Sequence, residues 1–168
     1  MGVTIHFEGQ LHSEAAYELL IGLAIDFADA HTMPYKLFAE TEKHLTRVKD
    51  EAEWDYQGPV KGIKIQPNDN TDPLWLEFDE DLYVQDFCKT QFADSQTHVS
   101  IIELLELLQP CFKKLLVEDE GCFWDTHDLS ELQQNMNDCF QAIEGAKAGN
   151  PDLQGPFRAK NGRIIDLM

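Results

Sequence analysis

PLWLEFDEDLYVQDFCKTQF, residues 73–92, decides the fold. Apolar and aromatic side chains crowd both sides of a short acidic run, Asp79 to Asp81, so Leu74–Phe78 and Leu82–Phe92 read as two strands joined by a turn. Just upstream, Val60 to Gln66 alternates in character and runs through the loop PNDNTD into Leu74, which adds a hairpin with a long loop. Three strands in succession make an antiparallel meander, expected at the centre of the sheet.

Working outward towards the start, Val3, Ile5 and Phe7 alternate with Thr4, His6 and Glu8, the pattern of a half-buried strand. Ser13 is placed to cap a helix that carries Ala16, Leu19, Leu20, Leu23, Ala24 and Phe27 on one stripe. Tyr17, Ile21 and Ile25 widen that stripe, so the helix from Ser13 to Ala30 has apolar surface to offer the sheet and also a second subunit, in a homodimer. Tyr35 to Glu40 reads as a strand. Thr41 to Ala52 is polar, with Leu45 and Val48 at helical spacing, and reads as a short helix or a loop. Gly58-Pro59 then signals a turn, with Trp54 and Tyr56 beside it as aromatic residues able to line a binding lip.

Towards the end of the chain, Asp94 or Ser95 caps a second helix, whose face of His98, Ile101, Ile102, Leu105 and Leu108 stops at Pro110. Phe112 to Glu118 returns as a strand. Asp128 and Glu131 form a capping box ahead of a third helix with Leu129, Leu132, Met136, Cys139, Phe140 and Ile143 on one face. Asn161-Gly162 sits between Phe157–Lys160 and Arg163–Leu167 as the turn of a terminal hairpin. The expected architecture is α+β over one domain, 1–168: a mainly antiparallel sheet, three helices packed mostly on one face, two strand–helix–strand halves and a C-terminal β-hairpin.

Charge is the strongest global signal. Against 13 Lys and Arg stand 31 Asp and Glu, a formal net charge of −18. Phosphate backbones and anionic lipid surfaces are bound through Lys and Arg, so this field disfavours nucleic acid and membrane and favours a basic protein partner. The four cysteines show no CxxC pairing and the first residues no charged, apolar leader pattern, so reduced thiols in the cytoplasm are expected.

Phosphate loops, dinucleotide fingerprints, nucleophile elbows and HExxH are all missing from the sequence. Asn68, Asn70, Asp72 and Asp79 follow calcium-loop spacing, but Pro73 stands where the loop needs glycine. Cys88 and His98 are the best nucleophile and base by residue type. Asp119, Asp125, His127 and Asp128 are hard and borderline ligands near a strand-to-helix connection, where acids, a His and Cys122 cluster beside Phe123 and Trp124 and a divalent metal cofactor is suggested.

Two functional expectations follow. The first is an acidic interaction protein, immunity-like or antitoxin-like, that meets a basic partner through Glu77, Asp79, Glu80, Asp81, Glu118, Asp119 and Glu120, with Trp54 and Tyr56 alongside. That reading is strongest if both acidic strand ends lie on one edge of the sheet. The second is a metal-dependent hydrolase centred on residues 118–128.

Overall fold

A computed structural model describes residues 2–49 and 52–168, the side chains at 48, 49 and 52–54 excepted. In chain order the elements are β1 (Thr4–Leu11), α1 (Glu14–Ala30), β2 (Tyr35–Lys49), β3 (Ala52–Ile65), β4 (Leu74–Phe78) and β5 (Tyr83–Lys89). Then come α2 (Ser95–Leu108), a 3₁₀ turn at Gln109–Cys111, β6 (Phe112–Asp119), α3 (Phe123–Thr126), α4 (Leu129–Gly149), β7 (Phe157–Arg158) and β8 (Ile164–Ile165). Every ladder is antiparallel, in the orders β5-β1-β6, β2-β3-β4 and β7-β8, which makes the class α+β.

Residues 73–92 form the seam between the two larger sheets: β4 ends one and β5 begins the other. Their turn is closed by Asp79 N–H donating to Tyr83 O at 3.1 Å and Leu82 N–H donating to Asp79 O at 3.0 Å. Leu82 takes a left-handed φ of 60° to make it.

Strand alternation then sorts the side chains. Ile5, Phe7 and Leu11 of β1 join Val84 and Cys88 of β5 and Leu115 of β6 on an inner face. Ile63, Ile65, Leu74, Leu76 and Phe78 supply the other sheet's share. Tyr17, Leu20, Ala24 and Ala28 of α1 close over them, α2 is buried almost all round, and Leu132, Met136, Cys139 and Ile143 of α4 complete one hydrophobic cluster. Each fully buried Leu or Ile contributes roughly 1.5–3 kcal/mol relative to exposure. Side-chain caps fix the helix starts: Ser13 accepts from Ala16 N–H, Asp94 from Thr97 N–H, and Asp128 from Ser130 and Glu131 N–H.

The structure departs from the sequence reading in the middle of the chain. Of the segment Thr41 to Ala52, Thr41 to Lys49 is neither helix nor loop but continues β2, Ala52 begins β3, and residues 50 and 51 lie outside the described residues; β2 and β3 pair from Tyr35↔Ile65 to Lys49↔Ala52. Gly58-Pro59 is not a turn but part of β3, opposite a register shift between Glu40 and Lys43. Gly58 at φ 154° accommodates that bulge, a value side-chain-bearing residues rarely adopt. The terminal hairpin is also shorter than Asn161-Gly162 implied. Only Gly162 takes positive φ, Ala159 N–H and O bracket the loop by bonding Arg163 O and Gly162 N–H, and each strand is two residues long.

Both strand–helix–strand runs exist in the element order, as β1-α1-β2 and β5-α2-β6, but they are built differently. The first crosses from one sheet to the other, whereas β5 and β6 flank the same strand, β1. Among the described residues no helix is long and apolar enough to cross a membrane.

Candidate functional site

The outer face of the β5-β1-β6 sheet is where the chain leaves a usable hollow. Alternation turns His6 and Glu8 of β1, Gln85 and Phe87 of β5, and Leu116 and Glu118 of β6 away from the core, and the register sets His6 beside both Phe87 and Glu118. Over this floor rises the far end of β2, so that Leu45, Thr46 and Arg47 form a wall, with Glu77, Asp86 and Arg163 closing the other side. The groove encloses about 730 Å³, within the range of ligand and peptide sites. Phe87 and Leu116 keep 38% and 48% of their surface exposed there, apolar surface that the groove leaves open to a ligand.

Two arginines hold the walls in place. Arg47 is only 3% exposed although it comes from the protruding hairpin; its Nη1 donates to Asp79 Oδ2 at 2.6 Å and its Nη2 to Tyr83 O at 3.2 Å. The rings of Tyr56 and Tyr83 lie 5.7 and 5.1 Å from the guanidinium carbon, so the cation is packed between aromatic faces. Arg163 pairs with Asp86, donates to Phe87 O at 2.9 Å and stacks 4.1 Å from the Phe87 ring centre. Lys43 and Glu77 pair at 2.5 Å on the rim.

The electrostatic balance is therefore one-sided. Glu8, Glu77, Asp86 and Glu118 line the groove against Arg47 and Arg163; Asp86 is paired with Arg163 and Glu77 with Lys43, Arg47 is paired with Asp79, and Glu8 accepts the Tyr83 hydroxyl. Glu118 is exposed and has no cation within ion-pair distance among the described residues. Burial pushes the Asp86 carboxyl up to about 6, against the opposing pull of Arg163. Burial, followed by the hydrogen bond to Glu8, pushes the Tyr83 phenol up, so it stays protonated and donates to that carboxylate.

The acids marked from sequence disperse. Asp79, 7% exposed, turns inward: besides Arg47 it accepts Asp81 N–H at 2.8 Å and Tyr83 N–H at 3.0 Å. Asp119 also turns inward, while Glu80, Asp81, Glu118 and Glu120 are exposed and Glu77 is half-buried. Glu120 bonds Thr4 N–H at 2.9 Å. The two acidic strand ends do not share an edge. Tyr83, next to the first, pairs with Gln10, and Asp119 pairs with Ile5, so they lie at opposite ends of β1, about 17 Å apart along the strand. Tyr56 tucks over Arg47, donating its hydroxyl to Pro59 O at 2.7 Å and accepting Glu80 N–H at 3.2 Å. The Trp54 side chain lies outside the described residues.

Nor do Asp119, Asp125, His127 and Asp128 converge. Asp128 caps α4, His127 Nε2 faces Glu106 at 2.5 Å, and Asp125 is exposed on α3. Among the described residues no group of three or more His, Cys, Asp or Glu side chains is arranged to hold a metal ion. Asp72 of the calcium-like loop is fully buried and accepts Lys89 and Ile164 N–H groups at 3.0 and 2.7 Å.

His98 is instead the hub of a sealed cluster. Its Nδ1 lies 2.6 Å from Thr90 Oγ1, and its Nε2 lies 2.9 Å from Asp119 Oδ1, close but poorly directed for a straight N–H···O bond. Asp119 also receives Gly121 N–H at 2.8 Å and Trp124 N–H at 2.9 Å. Burial works to raise the Asp119 carboxyl, but His98 and these two amides outweigh it and hold it below the ordinary value. The chemistry resembles a hydroxyl–imidazole–carboxylate relay, yet Thr90 and His98 have no exposed surface, so the cluster ties the end of β5, α2 and the end of β6 together. Cys88 takes no part: burial keeps its thiol well above its usual value, and it donates to Asp72 O at 3.4 Å.

Sequence reasoning missed the groove itself. His6 and Glu8 were legible as outward residues of a strand, but the wall of Leu45, Thr46 and Arg47 was hidden in a segment read as helix or loop. Compared with protein-family models, with curated proteins and with solved structures, the chain matches none.

Proposed function

We propose that this protein is a non-enzymatic, acidic binding protein that receives a basic, apolar-bearing segment of a protein partner in the groove over β5-β1-β6, in the manner of an immunity-like or antitoxin-like inhibitor. The observation that carries this reading is the groove's composition: an apolar floor of Phe87 and Leu116 beneath carboxylates that outnumber the cations, on a chain of net charge −18. An apolar floor supplies affinity on burial, and the negative rim speeds encounter with a cationic partner and rejects anionic ones. The sealing of the His98 cluster also favours binding over catalysis, because a nucleophile must reach its substrate.

The test is titration with fluorescent peptides that interleave Arg or Lys with Leu or Phe, at low and high salt. Saturable binding that weakens with salt, and weakens further in Glu118→Lys and Leu116→Asp but not in Glu144→Lys on α4, is expected. Binding indifferent to both groove substitutions, or no saturable binding to any basic peptide at low salt, refutes the reading.

A further inference from the structure

We infer that the free edge of β2 pairs with β2 of a second copy of this chain, antiparallel and across a two-fold axis at Phe38. This rests on the other sheet and is independent of the groove. β2 is the outer strand of β2-β3-β4. Pro34 O accepts Gln66 N–H at 2.9 Å, and Tyr35 pairs with Ile65. In an antiparallel ladder bonded and non-bonded pairs alternate, so Lys36, Phe38 and Glu40 bond to β3 while Tyr35, Leu37 and Ala39 aim their N–H and C=O groups outward. Among the described residues the edge is apolar as well as unpaired. Leu37 continues the row of Ile63 and Leu76, both fully buried, yet is 49% exposed, and Tyr35 continues the row of Ile65 and Leu74 at 39%. Two rows of core side chains thus end in the open, at the kind of edge that recruits another strand.

The residues select the occupant and the register. Outward-facing residues must oppose outward-facing residues, so a two-fold axis that keeps most of the flat stretch paired passes through Leu37, Phe38 or Ala39. Centred on Phe38, the pairing sets Leu37 opposite Ala39 and Lys36 opposite Glu40 twice. Lys36 and Glu40 are both exposed and have no ion-pair partner among the described residues. A shift to Leu37 places Lys36 opposite Phe38, and a shift to Ala39 places Phe38 opposite Glu40, each wasting a charge. The register break between Glu40 and Lys43 ends the flat stretch just where this pairing ends. The strand is therefore self-complementary, as an isologous contact requires.

A strand-to-strand contact is smaller than a standard interface of about 1,600 Å², so dissociation in the micromolar range is expected. Sedimentation velocity from micromolar to near-millimolar chain should show conversion from 19.2 kDa to twice that mass. Lys36→Glu and Glu40→Lys each turn both cross-strand pairs into like charges, and each should raise the dissociation constant by roughly tenfold. Mixing these two variants should restore assembly as a heterodimer, a rescue that misfolding cannot imitate. The inference is overturned if the wild-type chain stays monomeric throughout, if neither reversal weakens the dimer, if mixing fails to restore it, or if Leu19→Asp on the exposed side of α1 abolishes a dimer that the reversals leave intact.

Discussion

Replacing Arg47 by Met should cost this protein a large part of its stability, although Arg47 lies on a hairpin that projects from its sheet. The guanidinium is 3% exposed and the Asp79 carboxylate 7%, joined at 2.6 Å between the rings of Tyr56 and Tyr83. Arg47→Met keeps much of the aliphatic packing but strands a buried carboxylate, which costs about 3–5 kcal/mol when a paired charge loses its partner. With a urea dependence of about 2 kcal/mol per molar, the unfolding midpoint should fall by roughly 1.5–2.5 M. Asp79→Asn should also destabilise, since the neutral amide keeps an Oδ1 acceptor for the Asp81 and Tyr83 amides but leaves the buried Arg47 guanidinium without its counter-charge. The double variant should lose less than the sum of the two, because it leaves no unpaired charge, and a coupling of at least about 1 kcal/mol would report the pair. Urea unfolding of the four proteins, followed by tryptophan fluorescence, completes the cycle. If Arg47→Met shifts stability by less than about 0.5 kcal/mol, the size of an ordinary surface change, the account of Asp79 as an interior group is wrong.

Further outcomes concern Asp86 and the glycines. The Asp86 carboxyl has a folded value of about 6 against an ordinary 3.8, so it binds its proton more tightly in the folded state. Its contribution is fully present below about 4 and is lost as pH rises through about 6, by roughly 3 kcal/mol over that window. Asp86→Asn should flatten this part of a stability-against-pH profile measured by urea unfolding; an unchanged slope between pH 4 and 6 would contradict it. A Cβ on Gly62 would sit 1.8 Å from Leu76 O, in the backbone of the neighbouring strand, so Gly62→Ala should part β3 from β4 and cost on the order of 3 kcal/mol. Gly22→Ala on the open side of α1 meets nothing within 4 Å and should stabilise by about 0.5–1 kcal/mol, so thermal melts of the two should move in opposite directions.

Much of the fold was legible because it rests on local rules. Period-two alternation marked β1 and the second half of β3, from Val60 on, apolar and aromatic content marked β4, Ser13 and Asp128 marked helix starts through their own side chains, and Pro110 marked the end of α2. These features depend on residues a few positions apart, so the chain alone determines them. The class of the protein, α+β with antiparallel sheets and a terminal hairpin, follows from their order.

What the chain alone did not determine is whatever depends on partners far away in sequence. Thr41 to Lys49 has polar residues on both faces and no period to betray a strand; it is one because β3 offers it a ladder, and Arg47 is buried because Asp79, 32 residues on, is waiting. Asp79 and Asp119 look like surface acids, since local sequence cannot show that an arginine and a histidine will meet them in the interior. The groove has the same origin. His6, Phe87, Leu116 and Arg47 come from four strands, and their neighbourhood exists only once β5 and β6 settle on either side of β1 and the β2–β3 hairpin folds over the outer face. Side-chain alternation is a property of one strand, whereas a site needs register between strands, which is settled by burial of the shared inner face.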